Sequence, residues 1–212
     1  MQKNDAPTYS PLLGIFGGSF DPIHIGHLNG LWEITQKVEF DRLHIIPCGQ
    51  SPTKKALQTT TEHRLAMLQL AIKHQPHWHI DECEIARGGN SYTIDTLKGL
   101  HEEFPHHNLC LIIGVDVAAR LMEWRNWQQI LSFANLIIMT RPDYALFETP
   151  WILELQRRTL SNPQQLHTEK VGGVYWQKIT SLAISATQIR KLSSENKPPP
   201  FLVPSTVWDY IQ

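Results

Sequence analysis

The chain is 212 residues long, carries a formal net charge of −1 with its histidines neutral, and is 42% hydrophobic. A chain of that length buries roughly 70% or more of its unfolded surface in one core, and residues 1–212 are expected to form a single domain. The balanced charge speaks against a nucleic-acid partner or an acidic disordered tail. Three scattered cysteines (Cys48, Cys83, Cys110) without CxxC spacing speak against a disulfide framework or a zinc site.

Met1 to Pro11 is polar without an apolar signal core, and the longest apolar run, Leu109–Ile113, falls far short of a membrane span. A cytoplasmic protein with no membrane partner is the expectation, and a homo-oligomer is left open. Strands are expected at Leu12–Phe16, Leu43–Ile46, His79–Ile85, Leu109–Ile113 and Leu136–Thr140, with helices at Ile25–Lys37, Thr61–His74, Thr93–Glu103 and Trp127–Phe133. In Thr61–His74, Leu65, Leu68 and Ile72 share one face, leaving Glu62, Arg64, Gln69 and Lys73 for solvent. Cys83 and Cys110 fall in strand-like runs, where a small buried hydrophobe is expected.

After Arg141-Pro142 the chain is polar and irregular through Gly173, apart from an amphipathic piece at Trp151–Arg158. Val174–Ile179 reads as a last strand, Ser185–Leu192 as a short helix, and Ser205–Ile211 as a terminal helix capped by Ser205. This alternation predicts an α/β fold, Rossmann-like and doubly wound, with a mainly parallel sheet, helices on both faces and a small C-terminal helical portion at about 180–212. Ligands of such sheets bind at the carboxyl ends of the strands.

The strongest local signal is the stretch from Gly14 to His27. The first strand runs into Gly17-Gly18-Ser19-Phe20-Asp21-Pro22, and a helix follows whose start carries His24 and His27. Glycine lets backbone approach a bulky anion, a helix N-terminus offers free N–H groups and the positive dipole end, and histidines three apart lie on one face. The pattern points to a nucleotide-phosphate site, against the plainer reading of the histidines as caps or core residues. Neither G-x-G-x-x-G nor GK[ST] is present. A second signal is Ile184-Ser185-Ala186-Thr187-Gln188-Ile189-Arg190. There Ser185 reads as an N-cap, and Arg190 brings a planar donor fork back over the same anion.

The first stretch resembles the GxFDPxHxGH signature of the nucleotidylyltransferase superfamily, and the second is similar to an I-S-[SA]-T-x-[IV]-R motif of bacterial adenylyltransferases. The resemblance narrows to the bacterial nicotinate-mononucleotide adenylyltransferases. Further similar segments are Pro47 to Lys54, Glu62 to Leu68, Ser91 to Leu97, Ile113 to Asp116, Trp124, Arg141-Pro142, Leu202 to Pro204 and Val207 to Ile211. Ser51 and Thr53 depart from the family's P-P-H-[KR] loop, and Arg125 stands where tyrosine commonly follows the tryptophan.

The resemblance implies attack by a mononucleotide 5′-phosphate on the α-phosphorus of ATP, releasing pyrophosphate without a covalent enzyme intermediate. It implies His24, His27, Lys54 and Arg190 as catalytic. The ATP site would comprise Gly17, Gly18, Ser19, Phe20, His24, His27, Gly114, Asp116, Ser185, Thr187 and Arg190. Nicotinate mononucleotide would meet Ser19, Phe20, Tyr92, Thr93, Trp124 and Arg125, with Trp124 stacked on the pyridine ring. Mg²⁺ would be held mainly by ATP phosphates; Asp21 reads equally as a turn residue, and Asp116 as a ribose or base contact. Nicotinate over nicotinamide rests on resemblance alone. Phosphopantetheine as acceptor, a ligase related to aminoacyl-tRNA synthetases, and a nucleotide sensor are the competing readings. His77, His79, His106 and His107 show no metal-site spacing.

Overall fold

The computed structural model describes residues 9–52, 57–142, 148–195, 197 and 201–212. Six strands, β1 (Leu12–Gly18), β2 (Arg42–Pro47), β3 (Trp78–Ile80), β4 (Asn108–Gly114), β5 (Asn135–Thr140) and β6 (Val174–Lys178), form one sheet in the order β3-β2-β1-β4-β5-β6. Every neighbouring pair is parallel. Parallel strands covered on both faces need apolar side chains on both, which is why β1, β4 and β5 read as nearly unbroken apolar runs.

Alternate residues divide between two cores. Leu12, Phe16, Cys110, Ile112 and Ile137 face one side, where they meet α1 (Ile25–Thr35), α2 (Thr61–Ile72), α7 (Ala186–Ser194) and α8 (Ser205–Ile211). Leu13, Ile15, Leu111, Ile113 and Ile138 face the other, with α4 (Thr93–Glu103), α5 (Val115–Ala119) and α6 (Pro150–Arg157). The Rossmann-like doubly wound fold is therefore present, with α7 and α8 as the C-terminal helical portion.

The third strand is shorter than the sequence implies. Strand pairing stops at Ile80, and Cys83–Arg87 forms a helix, α3, in place of strand. Asp81 makes the break: its Oδ1 accepts the Cys83 N–H at 2.9 Å and its Oδ2 bonds His44 Nδ1 at 2.9 Å, a local side-chain bond that competes with a sheet ladder. The bond with His44 holds the Asp81 carboxyl below its usual range. Burial raises the Cys83 thiol to about 12 and the wholly buried Cys110 thiol higher still, so both stay protonated.

The helix expected at Trp127–Phe133 is a 3₁₀ helix over Trp127–Ser132. Two other expectations change. The cap of α8 is Pro204, so Ser205 is the first helical residue and donates no cap. Arg64, assigned to solvent by the amphipathic pattern, is fully buried, while Leu65 is only half-buried.

Two buried asparagines attach the irregular segment before β6 to the sheet. Asn108 Nδ2 donates to the Leu166 and His167 carbonyls at 2.9 and 3.0 Å. Asn135 Nδ2 donates to the Glu169 carbonyl at 2.7 Å and its Oδ1 accepts the Gly173 N–H at 2.8 Å. Replacing Asn135 by Ala takes the side-chain acceptor from the buried Gly173 N–H, while the Glu169 carbonyl keeps the Asn108 Nδ2 donor at 3.2 Å. Urea denaturation should show a loss of about 1–3 kcal/mol, whereas Gln69→Ala on the exposed face of α2 should stay within about 0.5 kcal/mol.

Candidate active site

β1 has β2 on one side and β4 on the other, so the chain leaves the carboxyl ends of these central strands in opposite directions and opens a crevice. The loop Gly17-Gly18-Ser19-Phe20-Asp21 lies in that crevice. Gly18 is required by packing, since a Cβ there would lie 2.9 Å from the Phe20 ring. Phe20 holds φ at 45°, left-handed backbone that costs a bulky residue on the order of 1 kcal/mol or more. Its ring is 1% exposed and meets the His27 ring edge-on with centroids 5.4 Å apart. Phe20 therefore supports the loop from beneath, with its ring buried.

His24 is the N-cap of α1, and it and His27 form a reciprocal capping box. The His27 N–H donates to His24 Nδ1 and the His24 N–H to His27 Nδ1, both at 3.3 Å. The rings stack with centroids 3.6 Å apart and planes 20° apart. An Nδ1 that accepts carries no hydrogen, so each neutral ring holds its proton on Nε2 and acts as a donor there. Capping and anion binding thus use different nitrogens of the same rings. The helix end is not a bare set of amides: the Ile25 N–H goes to the Leu202 carbonyl at 2.9 Å, which shifts the donor role from backbone to imidazole. Burial, then the nearby Arg141 charge, lowers the His24 pKa to about 4, so the ring is neutral at working pH.

The distant C-terminal motif closes on this loop. Ser185 Oγ caps α7 by accepting the Gln188 N–H at 3.2 Å. Arg190 Nη1 donates to the Asp21 carbonyl, and its Nη2 donates to Thr187 Oγ1 at 3.3 Å. A Cβ on Gly26 would lie 3.6 Å from Ile184 Cβ, so the motif also abuts the start of α1. At the neighbouring strand end, a Cβ on Gly114 would fall 2.6 Å from Asp116 Oδ1: the carboxylate folds back over the glycine that caps α5.

A second cluster adjoins the first. The loop after β2 is bonded to β1 through Cys48 N–H to the Gly18 carbonyl at 2.9 Å. It is bonded to the Ser91 segment through Gly49 N–H to Ser91 Oγ at 2.9 Å and Ser91 N–H to the Gln50 carbonyl at 2.8 Å. Tyr92 caps α4 by position, without a side-chain bond, and Thr93 opens the helix. The Arg125 guanidinium lies 4.6 Å over the Tyr92 ring and 3.8 Å from Asp95. Trp124 is half-buried against the α4 core, and Asn126, with φ at 51°, turns the chain behind it. Lys54 lies outside the described residues.

The sequence matches the cytidylyltransferase-like family over residues 15–192. A protein of Acidithiobacillus ferrooxidans named "Probable nicotinate-nucleotide adenylyltransferase" is 37% identical over 201 residues, covering 94% of this chain and 92% of its own length. Another of that name from Psychromonas ingrahamii is 38% identical over 201 residues, covering 94% of each. The chain belongs to the nicotinate-nucleotide adenylyltransferase family. The fold is shared with the Plasmodium falciparum nicotinic acid mononucleotide adenylyltransferase solved in complex with NaAD, at a TM-score of 0.73 and 20% identity over 95% of this chain and 94% of that one.

For an adenylyltransferase the cations around the loop matter most, and two of them carry no assigned role in the sequence analysis. Arg141, at the end of β5, is close enough for its charge to depress the His24 pKa; its only signal is the Arg-Pro pair. Arg64 donates to the Ser19 carbonyl at 2.9 Å, and its helical position hides it. No group of three His, Cys, Asp or Glu among the described residues is arranged to hold a metal. Asp21 Oδ2 accepts the Gln58 N–H at 3.0 Å, while Oδ1 is buried with no partner among the described residues. This donor set fits Mg²⁺ that arrives on the triphosphate, with at most one carboxylate beside it. Cavities of about 450 and 410 Å³ lie elsewhere, by Trp151 and by Tyr9, and include no residue of the loop.

The lowered His24 pKa has a direct consequence for stability. Unfolded His24 takes up its proton near pH 6.5 and folded His24 only near pH 4, so its contribution is complete above pH 6.5 and is lost as pH falls from there to about 4. The variant His24→Asn keeps a capping oxygen without a titrating ring. Denaturation from pH 7 to 4 should show a shallower pH dependence for it than for the wild type, and histidine NMR of the wild type should place the His24 midpoint near 4.

Proposed function

We propose that this chain transfers the adenylyl group of ATP to nicotinate mononucleotide in NAD biosynthesis, by direct in-line attack. A 5′-phosphate oxygen of the mononucleotide bonds to the α-phosphorus of ATP, and the bond to the β-bridging oxygen breaks, releasing pyrophosphate. The observation that carries this reading is the pair of stacked, mutually capped imidazoles on the crevice loop, with Arg190 anchored on the same loop. Two anions must meet, so the residues neutralise charge and hold geometry. Nothing in this step needs an enzyme nucleophile, in keeping with Cys83 and Cys110 thiols held protonated by burial.

His24 and His27 donate from Nε2 to the ATP phosphates. A neutral donor suits this task, since it binds the charge that develops in the transition state without needing a proton from solution. Arg190, with Lys54, takes the β- and γ-phosphates; Gly17, Gly18 and Ser19 allow close backbone approach. Gly114, Asp116, Ser185 and Thr187 complete the ATP side. On the acceptor side, Trp124 faces the pyridine ring, with Tyr92, Thr93 and Arg125 around it, and the Arg125 charge suits the acid over the amide. Mg²⁺, bound with ATP, supplies further neutralisation of the triphosphate. Residues 1–212 act as one domain in the cytoplasm.

The reading is tested by pyrophosphate release from Mg-ATP with nicotinate mononucleotide, nicotinamide mononucleotide or phosphopantetheine offered separately. Release preferring nicotinate mononucleotide is expected; release with phosphopantetheine alone would overturn the acceptor assignment, and release with none would overturn the activity. His24→Ala should lower kcat by about 10²–10³, the usual cost of one donor aimed at developing charge. Trp124→Ala should raise KM for the mononucleotide and leave KM for ATP near wild type.

A further inference from the structure

Arg64 is the largest of the side chains fully withdrawn from solvent. Its Nη1 donates to the Ser19 carbonyl at 2.9 Å, its Nη2 to Thr61 Oγ1 at 3.3 Å, and its Nε has no partner among the described residues. The guanidinium stays charged at any working pH, yet none of the ion pairs among the described residues involves it. A buried cation without an acid is a poor device for stability, since an apolar side chain of similar volume fills the same space without desolvating a charge.

What Arg64 holds is a single peptide plane. The Ser19 carbonyl belongs to the peptide that leads into Phe20, whose φ of 45° is left-handed. Fixing that plane keeps Phe20 in a conformation it would otherwise leave, and so keeps its ring beneath His27 and against Gly18. Arg190 grips the loop two peptides further on, at the Asp21 carbonyl. The loop is therefore clamped by two arginines, one from α2 and one from α7.

We propose that Arg64 is a positioning residue of the adenylyl-transfer site: through the Ser19–Phe20 peptide it seats the Phe20 ring that sets the plane of His27. The inference rests on the adenylyltransferase reading for its kinetic consequence and on geometry alone for its effect on His27.

The test compares Arg64→Met, Arg64→Lys and Thr61→Val with the wild type in pyrophosphate release and in imidazole ¹⁵N NMR of the ligand-free proteins. Arg64→Met should lower kcat on the order of 10²-fold, the cost of misplacing a catalytic group by roughly 1 Å, with KM for ATP changed far less. Arg64→Lys restores the charge without the fork and should recover only part of kcat. Thr61→Val, which removes only the Nη2 acceptor, should cost about 3-fold. The His27 resonances should move in Arg64→Met while those of exposed His74 stay in place. Wild-type kcat with unmoved His27 resonances, or a loss confined to melting temperature, would overturn the proposal. Should Arg64→Met not fold, Thr61→Val and Arg64→Lys decide it by the same two readouts. If the wild type releases no pyrophosphate, the activity reading fails by itself, and the His27 resonances still decide the positioning role.

Discussion

The site depends on the pair of bonds by which His24 and His27 cap one another. Each ring accepts the other's peptide N–H at Nδ1, and that choice has three consequences. It begins α1 at a defined residue, it places the two rings face to face 3.6 Å apart, and it assigns the remaining proton of each ring to Nε2. Stacked imidazoles would repel if both were charged. Burial and the Arg141 charge keep His24 neutral, which makes the stack compatible with a working pH well above 4.

The rest of the crevice keeps that pair in place and makes it electropositive. Phe20 packs under His27, Arg64 and Arg190 hold the loop through the carbonyls of Ser19 and Asp21, and Leu202 takes up the Ile25 N–H. Three guanidiniums thus converge on one loop of a chain whose net charge is only −1. A global charge near zero says nothing of where the cations of the chain gather. Arg64 and Arg190 bond backbone carbonyls of the loop and not carboxylates.

The two clusters of the crevice are joined through one loop. The loop after β2 bonds to Gly18 on one side and to the Ser91 segment on the other, so a shift in either is felt by both. The Arg125 guanidinium over Tyr92 gives the second cluster its own charge. This cation–π contact makes Arg125 and Tyr92 constrain one another.

Much of this was legible in the sequence because it is local. Hydrophobic runs in β1, β4 and β5, the glycines of the loop, the spacing of His24 and His27, and the Ser185 cap all act over a few residues, and short-range chemistry decides them. The motifs also pointed to a shared anion for His27 and Arg190, although nothing in the spacing of 163 positions between them says that they meet. What only the tertiary structure decided is where side chains go once elements pack. Periodicity sent Arg64 to solvent, because a helical wheel registers polarity and not the carbonyl of Ser19 waiting on a neighbouring loop. It extended β3 past Asp81, because an apolar run of that length does not reveal that a carboxylate will bond His44 and start a helix. The left-handed backbone of Phe20 turns its ring into the core, a placement that no short-range pattern in the sequence specifies. Sequence determines local preference, and packing decides which polar group a buried side chain finds.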